Sequence, residues 1–230
     1  MTFSNLRNEY PDFPKFIHQA ALDPHLDEDS LNRLCDISKH FNFSGFCTNL
    51  IRLPQARLRL GQLSQTKLIA VISFPFGSIP TTLKIEQAKW AISQGAEELD
   101  IVPNFFALSQ NNINFFAEEL AELCELDVPV RAILDIARMP IDVLSSAIEA
   151  SIEAGVYGLQ SGNGFGPAIS KKEIQKINEI VRGRCAIKAV GGIKSLNNAI
   201  ELIETGSTQI GTSYGEELMQ TLREHHKNEF

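Results

Sequence analysis

Eight short apolar segments recur at regular intervals along the 230-residue chain, and they constrain its fold more than any other feature of the sequence. Each is short enough for a buried strand and is bounded by polar or glycine-containing turns. The segments are Phe16–Ala20, Phe43–Thr48, Lys67–Phe74, Glu98–Val102, Val130–Ile136, Val156–Ser161, Cys185–Val190 and Thr208–Gly211. Between them, apolar residues recur at helical spacing, as in Ile174, Ile177 and Val181. This alternation predicts an α/β fold with a parallel sheet.

Helix-end signals agree with the alternation. Ser170 and Glu173 have the spacing of a capping box, which predicts a helix start. Gly95, Gly155 and Gly206 each lie just past a helical stretch, where a left-handed residue is needed. Eight strand–helix pairs predict a single (β/α)8 TIM barrel, a fold of about 250 residues. Periodicity alone also fits a doubly wound open sheet, so both folds remain open at this point.

The domain organisation predicted is simple, because no Pro/Gly/Ser-rich linker or block of like charge divides the chain. Residues 1–15 are predicted to be a short N-terminal extension, residues 16–224 the barrel, and residues 225–230 a C-terminal tail. With 43% apolar residues, a chain of this length can bury one large core.

Charge and cysteine usage limit the partners and the compartment. The formal net charge is −7 with no basic stripe, so a nucleic-acid partner is not expected. The residues after Met1 do not form a signal peptide, and no apolar run approaches the roughly 20 residues of a membrane span. The cysteines lack CxxC spacing and lie in apolar stretches, which indicates free thiols: Cys35, Cys47, Cys124 and Cys185. We therefore expect a cytoplasmic protein with no membrane partner.

Candidate site residues follow from the barrel, in which functional side chains lie at the C-terminal ends of the strands. Polar residues near those ends are His18, Asn49, Ser73, Asp100, Arg131, Asp135, Gln160 and Lys188. A charged side chain within an apolar strand must be paired or functional, since an unpaired buried ion costs several kcal/mol. Asp100, Arg131, Asp135 and Lys188 are therefore the leading candidates.

Structural roles compete with functional ones at some of these positions. Arg131 and Asp135 are four residues apart and are expected to face the same side of one strand, so an ion pair with a neighbouring strand is an alternative to catalysis. His18 could equally be a hydrogen-bonded core histidine. It has no second histidine at ligand spacing, so no metal site is predicted. Lys188 lies between Ile187 and Ala189, which favours a pocket position.

Glycine-rich loops after the last three strands indicate an anion site. Gly191 and Gly192 follow the seventh strand, Gly211 to Ser213 links the eighth strand to the last helix, and Gly164 follows the sixth strand. Glycines let backbone N–H groups approach an anion, and the last two loops of TIM barrels often bind phosphate. A tight turn would explain any one loop. Three consecutive loops favour a phosphate-binding pocket.

Several motifs resemble the deoxyribose-phosphate aldolase family, over nearly the whole chain from about Phe16 to Gly215. The matching motifs are Phe46-Cys47-Thr48-Asn49, Phe74-Pro75-Phe76-Gly77 with Thr81 and Lys84, Glu98-Leu99-Asp100-Ile101-Val102, Gly191-Gly192-Ile193 and Ile210-Gly211-Thr212-Ser213. The resemblance implies a TIM barrel and a class I aldolase that acts through a Schiff base without a cofactor. It also implies a phosphorylated sugar as the substrate and a homodimer as the assembly.

The resemblance assigns roles to individual positions. Asp100 matches the acidic proton-relay residue, Lys188 the second lysine, and Gly191, Gly192 and Ser213 the phosphate site. At the chemical centre the chain departs from the family: Gln160 stands at the Schiff-base lysine, Arg131 at a lysine, Asp135 at a glutamate and His18 at an aspartate. A carboxamide is not a useful amine nucleophile, so Gln160 cannot form the imine.

Three hypotheses follow from these departures. In the first, Lys188 is a relocated nucleophile for reversible aldol cleavage of a phosphorylated deoxy-sugar, with Asp100 moving the proton. In the second, an isomerase or epimerase of a phosphosugar works without a Schiff base and stabilises an enolate with Lys188 and Arg131. In the third, the protein binds a phosphorylated metabolite without turnover.

Overall fold

Eight parallel strands close into a barrel in sequence order, in a computed structural model that describes residues 12–227. The strands are β1 (Ile17–Ala21), β2 (Gly45–Thr48), β3 (Lys67–Ile72), β4 (Glu98–Ile101), β5 (Val130–Ile133), β6 (Gly158–Gln160), β7 (Ala186–Val190) and β8 (Gln209–Thr212). Because β1 pairs with both β2 and β8, the sheet has no free edge. The predicted (β/α)8 barrel is confirmed, and the open sheet is excluded.

Helices surround the barrel. They are α1 (Glu28–Phe41), α2 (Leu53–Leu60), α3 (Thr81–Ser93), α4 (Phe105–Ser109), α5 (Ile113–Cys124), α6 (Ile141–Glu153), α7 (Lys171–Val181), α8 (Leu196–Glu204) and α9 (Gly215–Lys227). Short 3-10 turns precede β1 at Phe13–Phe16 and α2 at Leu50–Arg52. The short helix α4 lies between β4 and α5, in addition to the repeating pairs. Within the described part of the chain, no helix is long and apolar enough to cross a bilayer.

The helix ends form as the sequence predicts. The side chain of Ser170 accepts from the backbone N–H of Glu173, and the Glu173 carboxylate accepts from that of Ser170, which completes the capping box of α7. Gly95, Gly155 and Gly206 have φ values of +89°, +91° and +118°, in the region that side chains disfavour. These caps end α3, α6 and α8 and turn the chain into the next strand.

The core has two parts, because successive strand residues point to opposite faces of the sheet. Outward residues such as Leu68, Ala132 and Ile210 pack fully buried against the helices and form the main apolar core. Inside the barrel, the apolar cluster is small and centres on Cys47, Ile69 and Val71. Much of the remaining interior is polar, which is unusual for a core and indicates a functional site inside the barrel.

The segment before β1 is partly described. Phe13 is fully buried in the main apolar core, so this part of the predicted N-terminal extension packs against the barrel. Residues 1–11 and 228–230, which the prediction placed in the extension and the tail, lie outside the described residues.

A buried ion pair joins two of the surrounding helices. Lys84 of α3 donates to Glu119 of α5 at 2.7 Å, and both side chains are fully buried. Thr81 and the backbone N–H of Asn104 also donate to the Glu119 carboxylate, at 2.9 and 2.8 Å. Lys84 donates in addition to the carbonyl of Val102, just past β4. The pair therefore fixes the loop after β4 against two helices.

Candidate active site

The centre of the barrel holds a carboxylate between two cations. Asp100 on β4 accepts from Lys188 on β7 at 2.5 Å and from Arg131 on β5 at 2.5 Å, through its two different oxygens. Their side chains are at most 3% exposed. The arrangement follows from register: Asp100 pairs with Arg131 across β4 and β5, so both side chains point inward at neighbouring positions.

The ion pairs continue from this centre to the N-terminal end of the barrel. Arg131 donates to Glu98 at 3.2 Å, and Glu98 accepts from Lys67 at 2.9 Å. Lys67 begins β3, and its side chain is 51% exposed. The resulting chain of contacts contains three cations and two carboxylates. Lys188 lies at the inner end of this chain of contacts, with its amine buried at the centre of the barrel.

The opposite charges in this cluster stabilise the ionised forms of Asp100 and Arg131. Burial alone would raise the pKa of Asp100, but the positive charges of Lys188 and Arg131 outweigh it and hold this pKa below its usual value. Burial alone would lower the pKa of Arg131, but Asp100 and Glu98 outweigh it and raise this pKa. Asp100 is therefore a carboxylate and Arg131 a fixed cation at neutral pH.

Two further groups lie beside the cluster. His18 on β1 is buried, and its Nδ1 has no hydrogen-bond partner among the side chains that the structure describes, residues 12–224. Burial, and then the charges of Lys188 and Arg131, hold the pKa of His18 well below its usual value, so the ring is neutral. Cys47 donates weakly to Asp100 at 3.7 Å, and burial raises its pKa to about 12. Neither group adds charge to the site.

Gln160 lies next to Lys188, because the two residues are register partners across β6 and β7. Its amide nitrogen donates to the carbonyl of Gly162 at 2.7 Å. Its carbonyl oxygen is buried with no partner in the described part of the chain. An unsatisfied buried acceptor is costly, so this oxygen is available to a ligand or a bound water.

A cavity of about 610 Å³ opens over the C-terminal ends of β6, β7, β8 and β1. Its lining includes Gly164, Gly191, Gly192, Gly211, Ser213, Lys194, Tyr214 and His25. A Cβ on Gly192 would lie 2.7 Å from that of Ala168, and the φ values of Gly191 and Gly192 are +124° and +66°. These positions therefore require glycine, which leaves their backbone open to the cavity.

A hydroxyl group holds the last two loops of this cavity together. Thr212, at the end of β8, donates to the carbonyl of Ile193 at 2.7 Å and accepts from the backbone N–H of Tyr214 at 3.0 Å. Lys194 lies 5.2 Å from the ring of Tyr214 and supplies a cation at the rim. Glycine backbone, a helix N-terminus and a lysine together make a cavity suited to an anion.

Curated proteins similar to this chain in sequence include deoxyribose-phosphate aldolases. The chain is 32% identical over 219 residues to the deoxyribose-phosphate aldolase of Aquifex aeolicus, which covers 94% of this chain and 98% of that protein. The chain belongs to the deoxyribose-phosphate aldolase family. No family model matches it. A solved aldolase structure, QR15, is 32% identical, with a TM-score of 0.89 over 94% of this chain and 97% of that one.

A more distant structure supports the fold alone. The tetrameric deoxyribose-phosphate aldolase of Aeropyrum pernix is 21% identical, with a TM-score of 0.86 over 96% of both chains. The family and the barrel that the motifs predicted are therefore confirmed. The roles of individual residues in this aldolase-like chain remain predictions.

Five predicted catalytic positions lie inside the barrel: His18, Asp100, Arg131, Gln160 and Lys188. Asp135 does not contact them, although it keeps the side of the chain predicted for Arg131: Leu134 and Ile136 pack in the outer core, and Asp135 lines a cavity at the barrel mouth together with Ile133. Strand β5 ends at Ile133, so Asp135 belongs to the following turn, where it pairs with Arg138 at 3.4 Å. The predicted pairing of Arg131 with a neighbouring strand is present, through Asp100 and Glu98 of β4.

Most of the predicted phosphate-binding positions share one cavity, as described above. Asn49, near the end of the second strand, was also predicted to bind the substrate or its phosphate; it precedes the 3-10 turn Leu50–Arg52 and does not line that cavity. Its side-chain oxygen is buried with no partner among the described residues.

Sequence reasoning did not predict Glu98 and Lys67 as members of the buried ion cluster, or Lys194 as part of the anion cavity. Glu98 could have been found, because it is two residues before Asp100 and period-2 alternation places both on one strand face. Lys67 could be placed only after the pairing of β3 with β4 was known. Lys194 follows a glycine pair, and a lysine in a loop carries no signal that distinguishes a ligand from a solvated surface residue.

Proposed function

We propose that this protein catalyses the reversible aldol cleavage of a 2-deoxy-sugar phosphate, with Lys188 as the Schiff-base nucleophile. The observation that carries the proposal is the buried amine of Lys188 at the centre of the barrel, which contacts Asp100 at 2.5 Å and lies on the strand next to Gln160. Gln160 cannot supply the amine. With deoxyribose 5-phosphate, the products are acetaldehyde and glyceraldehyde 3-phosphate.

The first step forms the covalent intermediate. The neutral amine of Lys188 attacks the C1 carbonyl carbon of the open-chain sugar and gives a carbinolamine, which loses water to become an iminium ion. The C2–C3 bond then breaks, and its electrons move into the iminium to give an enamine. The proton of the C3 hydroxyl leaves to a base, and glyceraldehyde 3-phosphate departs. Protonation of the enamine at carbon, followed by hydrolysis, releases acetaldehyde and regenerates the amine.

Asp100 is suited to move these protons. It is a buried carboxylate that contacts Lys188 at 2.5 Å, so it can orient the amine and accept a hydrogen bond from a water that carries protons to and from the reacting carbon. Arg131 holds the other oxygen of Asp100 and remains a fixed cation. This anchoring keeps the carboxylate in one orientation, which is the preorganisation that acid–base catalysis needs.

The phosphate group is proposed to bind in the cavity over β6 to β8. Backbone at Gly191, Gly192 and Ser213, together with the cation of Lys194, would neutralise it. Gly211 contributes to the same cavity and also faces the stem of Lys188. One residue therefore borders both the anion cavity and the amine, which fits a substrate that spans the two.

The assembly proposed is a homodimer in a reducing cytoplasm. Ile51, Leu83 and Trp90 form an exposed apolar patch at the surface of α3 and the turn before α2, which supports association through that face. All four cysteines are free thiols, and burial raises the pKa of Cys35 to about 12, so it is unreactive.

Borohydride trapping tests the proposal. The protein is incubated with deoxyribose 5-phosphate and sodium borohydride, and the intact mass and digested peptides are measured. We expect one reduced adduct, located on Lys188. Lys188→Arg, which keeps the charge but not the nucleophile, should give no adduct, whereas Lys89→Met, at an exposed lysine paired with Glu86, should behave as the unchanged protein.

Two outcomes would contradict the proposal. An adduct on a different lysine would refute the role of Lys188 but keep the aldolase chemistry. Complete absence of adduct and of cleavage, in protein that binds the sugar phosphate by calorimetry, would refute imine catalysis.

A further inference from the structure

The loop after β1, residues 22–26, forms a further wall of the cavity proposed for the phosphate. Its residues from Leu22 to His25 line that cavity together with Gly191, Gly192 and Lys194. Strand β1 pairs with β8, so this loop follows the strand next to the one that leads to Ser213. Gln19 of β1 also donates to the carbonyl of Ser213 at 3.2 Å. The cavity therefore has a side that the three glycine-rich loops did not predict.

One arginine holds the backbone of this loop. The guanidinium of Arg52, in the 3-10 turn before α2, donates to the carbonyls of Asp23 and Leu26, each at 2.8 Å. It also donates to the carbonyl of Pro24 at 3.2 Å and, more weakly, to that of Ala21 at 3.5 Å. Several carbonyls can share one guanidinium because it presents five donors in a fixed plane. Arg52 does not line the cavity, so it can affect a ligand there only through the loop.

His25 is the residue of this loop that can donate to an anion from its side chain. Leu22 and Pro24 are apolar, and the Asp23 carboxylate only accepts hydrogen bonds. The ring of His25 is exposed, lines the cavity and has no partner among the side chains and backbone groups of residues 12–224. An imidazole has at least one N–H donor in either protonation state, so it can bind a phosphate oxygen.

The Asp23 carboxylate is the one group of this wall that opposes an anion. Its Oδ1 accepts from the backbone N–H of His25 at 2.8 Å, which fixes the turn that presents the imidazole. The guanidinium of Arg52 contacts the carbonyl of the same residue, and Lys194 lies at the rim of the cavity. These two cations offset the charge of Asp23 at short range.

We propose that His25 binds the phosphate group of the substrate and that Arg52 is the positioning residue that holds His25 in place. The proposal rests on the aldol function proposed above and extends its phosphate site to a fourth loop. The ring N–H of His25 donates to a phosphate oxygen, and Arg52 acts through the backbone of the loop. Neither residue belongs to the ion cluster of Asp100, so both should affect substrate binding more than the chemical step.

Kinetics with and without the phosphate group test the role of His25. Cleavage of deoxyribose 5-phosphate is compared with cleavage of deoxyribose. His25→Ala should raise KM for the phosphorylated sugar about tenfold, the size of one hydrogen bond to a charged group, while kcat changes little. The unphosphorylated sugar should be affected far less. His25→Gln keeps an N–H donor and should recover part of the loss. An equal effect on both sugars, or none on either, would overturn the proposal.

A double variant tests whether Arg52 acts through His25. Arg52→Leu should raise KM for deoxyribose 5-phosphate about as much as His25→Ala does, and Arg52→Lys should recover only part, because an ammonium cannot span the same carbonyls. The double variant of Arg52→Leu and His25→Ala should resemble either single variant. Effects that add would refute the positioning role. If Arg52→Leu does not fold in urea denaturation, the exposed His25 variants still decide the binding role.

Matched controls are His40→Ala and Arg59→Leu, at an exposed histidine and at an exposed arginine paired with Asp36, neither of which lines the cavity. Neither substitution should change KM.

A binding measurement separates this proposal from the aldol function. Phosphorus NMR titration with inorganic phosphate needs no turnover, so it reports on the cavity even if Lys188 forms no adduct. Weaker phosphate binding by His25→Ala than by the unchanged protein would support the proposal. Equal binding by the two proteins, or no binding by either, would overturn it. Failure of borohydride trapping would count against the aldol function alone.

Discussion

Gly211 leaves open the space that the side chain of Lys188 occupies. A Cβ on Gly211 would lie 2.9 Å from Cε of Lys188 and 2.6 Å from Cγ2 of Val190, both closer than real Cβ contacts. The flexible end of the lysine must then move, so glycine at this position of β8 determines where the amine lies.

Gly211→Ala should therefore reduce activity without unfolding the protein. Displacement of the Lys188 amine by about one ångström can cost about a hundredfold in rate, and we expect kcat/KM for deoxyribose 5-phosphate to fall by about that factor. Gly162→Ala is the control, because its Cβ would meet atoms only at 3.9 and 4.0 Å. Equal activity in both variants would contradict the spatial role assigned to Gly211.

Gln160→Lys should raise cleavage of deoxyribose 5-phosphate at least tenfold. Position 160 points into the barrel beside Lys188, and an amine there would have Lys188 as a neighbouring cation that favours its neutral form. Borohydride should then place the adduct on the peptide that contains position 160. Gln160→Met, of similar length but without an amine, controls for the loss of the amide. A folded Gln160→Lys protein with no gain would show that more than the nucleophile differs from the family.

Lys84→Met should destabilise the protein by about 3–5 kcal/mol, because it leaves the fully buried Glu119 without its cation. The double variant with Glu119→Leu should recover part of this loss, since no buried charge remains. Urea denaturation measures both, with Lys89→Met as an exposed control. If the two substitutions were simply additive, the pair would not be coupled as its 2.7 Å contact indicates.

His18 should make stability depend on pH. Burial and the charges of Lys188 and Arg131 lower the pKa of His18, so the folded protein keeps it neutral, whereas the unfolded chain binds a proton below about pH 6.5. The unfolded state then holds more protons, and the free energy of unfolding falls as the pH decreases, by at most about 1.4 kcal/mol per unit for one group.

Urea denaturation between about pH 5 and pH 7.5 checks this effect. His18→Gln should show a shallower decrease than the unchanged protein across that range. Asp100 cannot produce the difference: its lowered pKa gives stability that is present above about pH 3.9 and is lost only at more acid pH. Parallel pH profiles for the two proteins would mean that His18 is not held neutral.

The sequence by itself determined the barrel and its helix caps. Eight alternating strands and helices can form either a closed barrel or an open sheet. Motifs such as Glu98 to Val102 favoured the barrel, because they resemble a family with that fold. Capping at Ser170 and Glu173 is local, because it depends on residues three apart, and local chemistry is what a sequence displays directly.

Only the tertiary structure decided which charges meet. Apolar periodicity placed Arg131 and Asp135 on one side of the chain, but it does not fix where β5 ends; because β5 ends at Ile133, Asp135 lies past the strand, at the barrel mouth, and does not join the ion cluster. The partners of Arg131 lie on β4, and their contact depends on the register between two strands that are about thirty residues apart in the chain. Register and strand ends result from the packing of the whole barrel, so one segment of sequence cannot specify them.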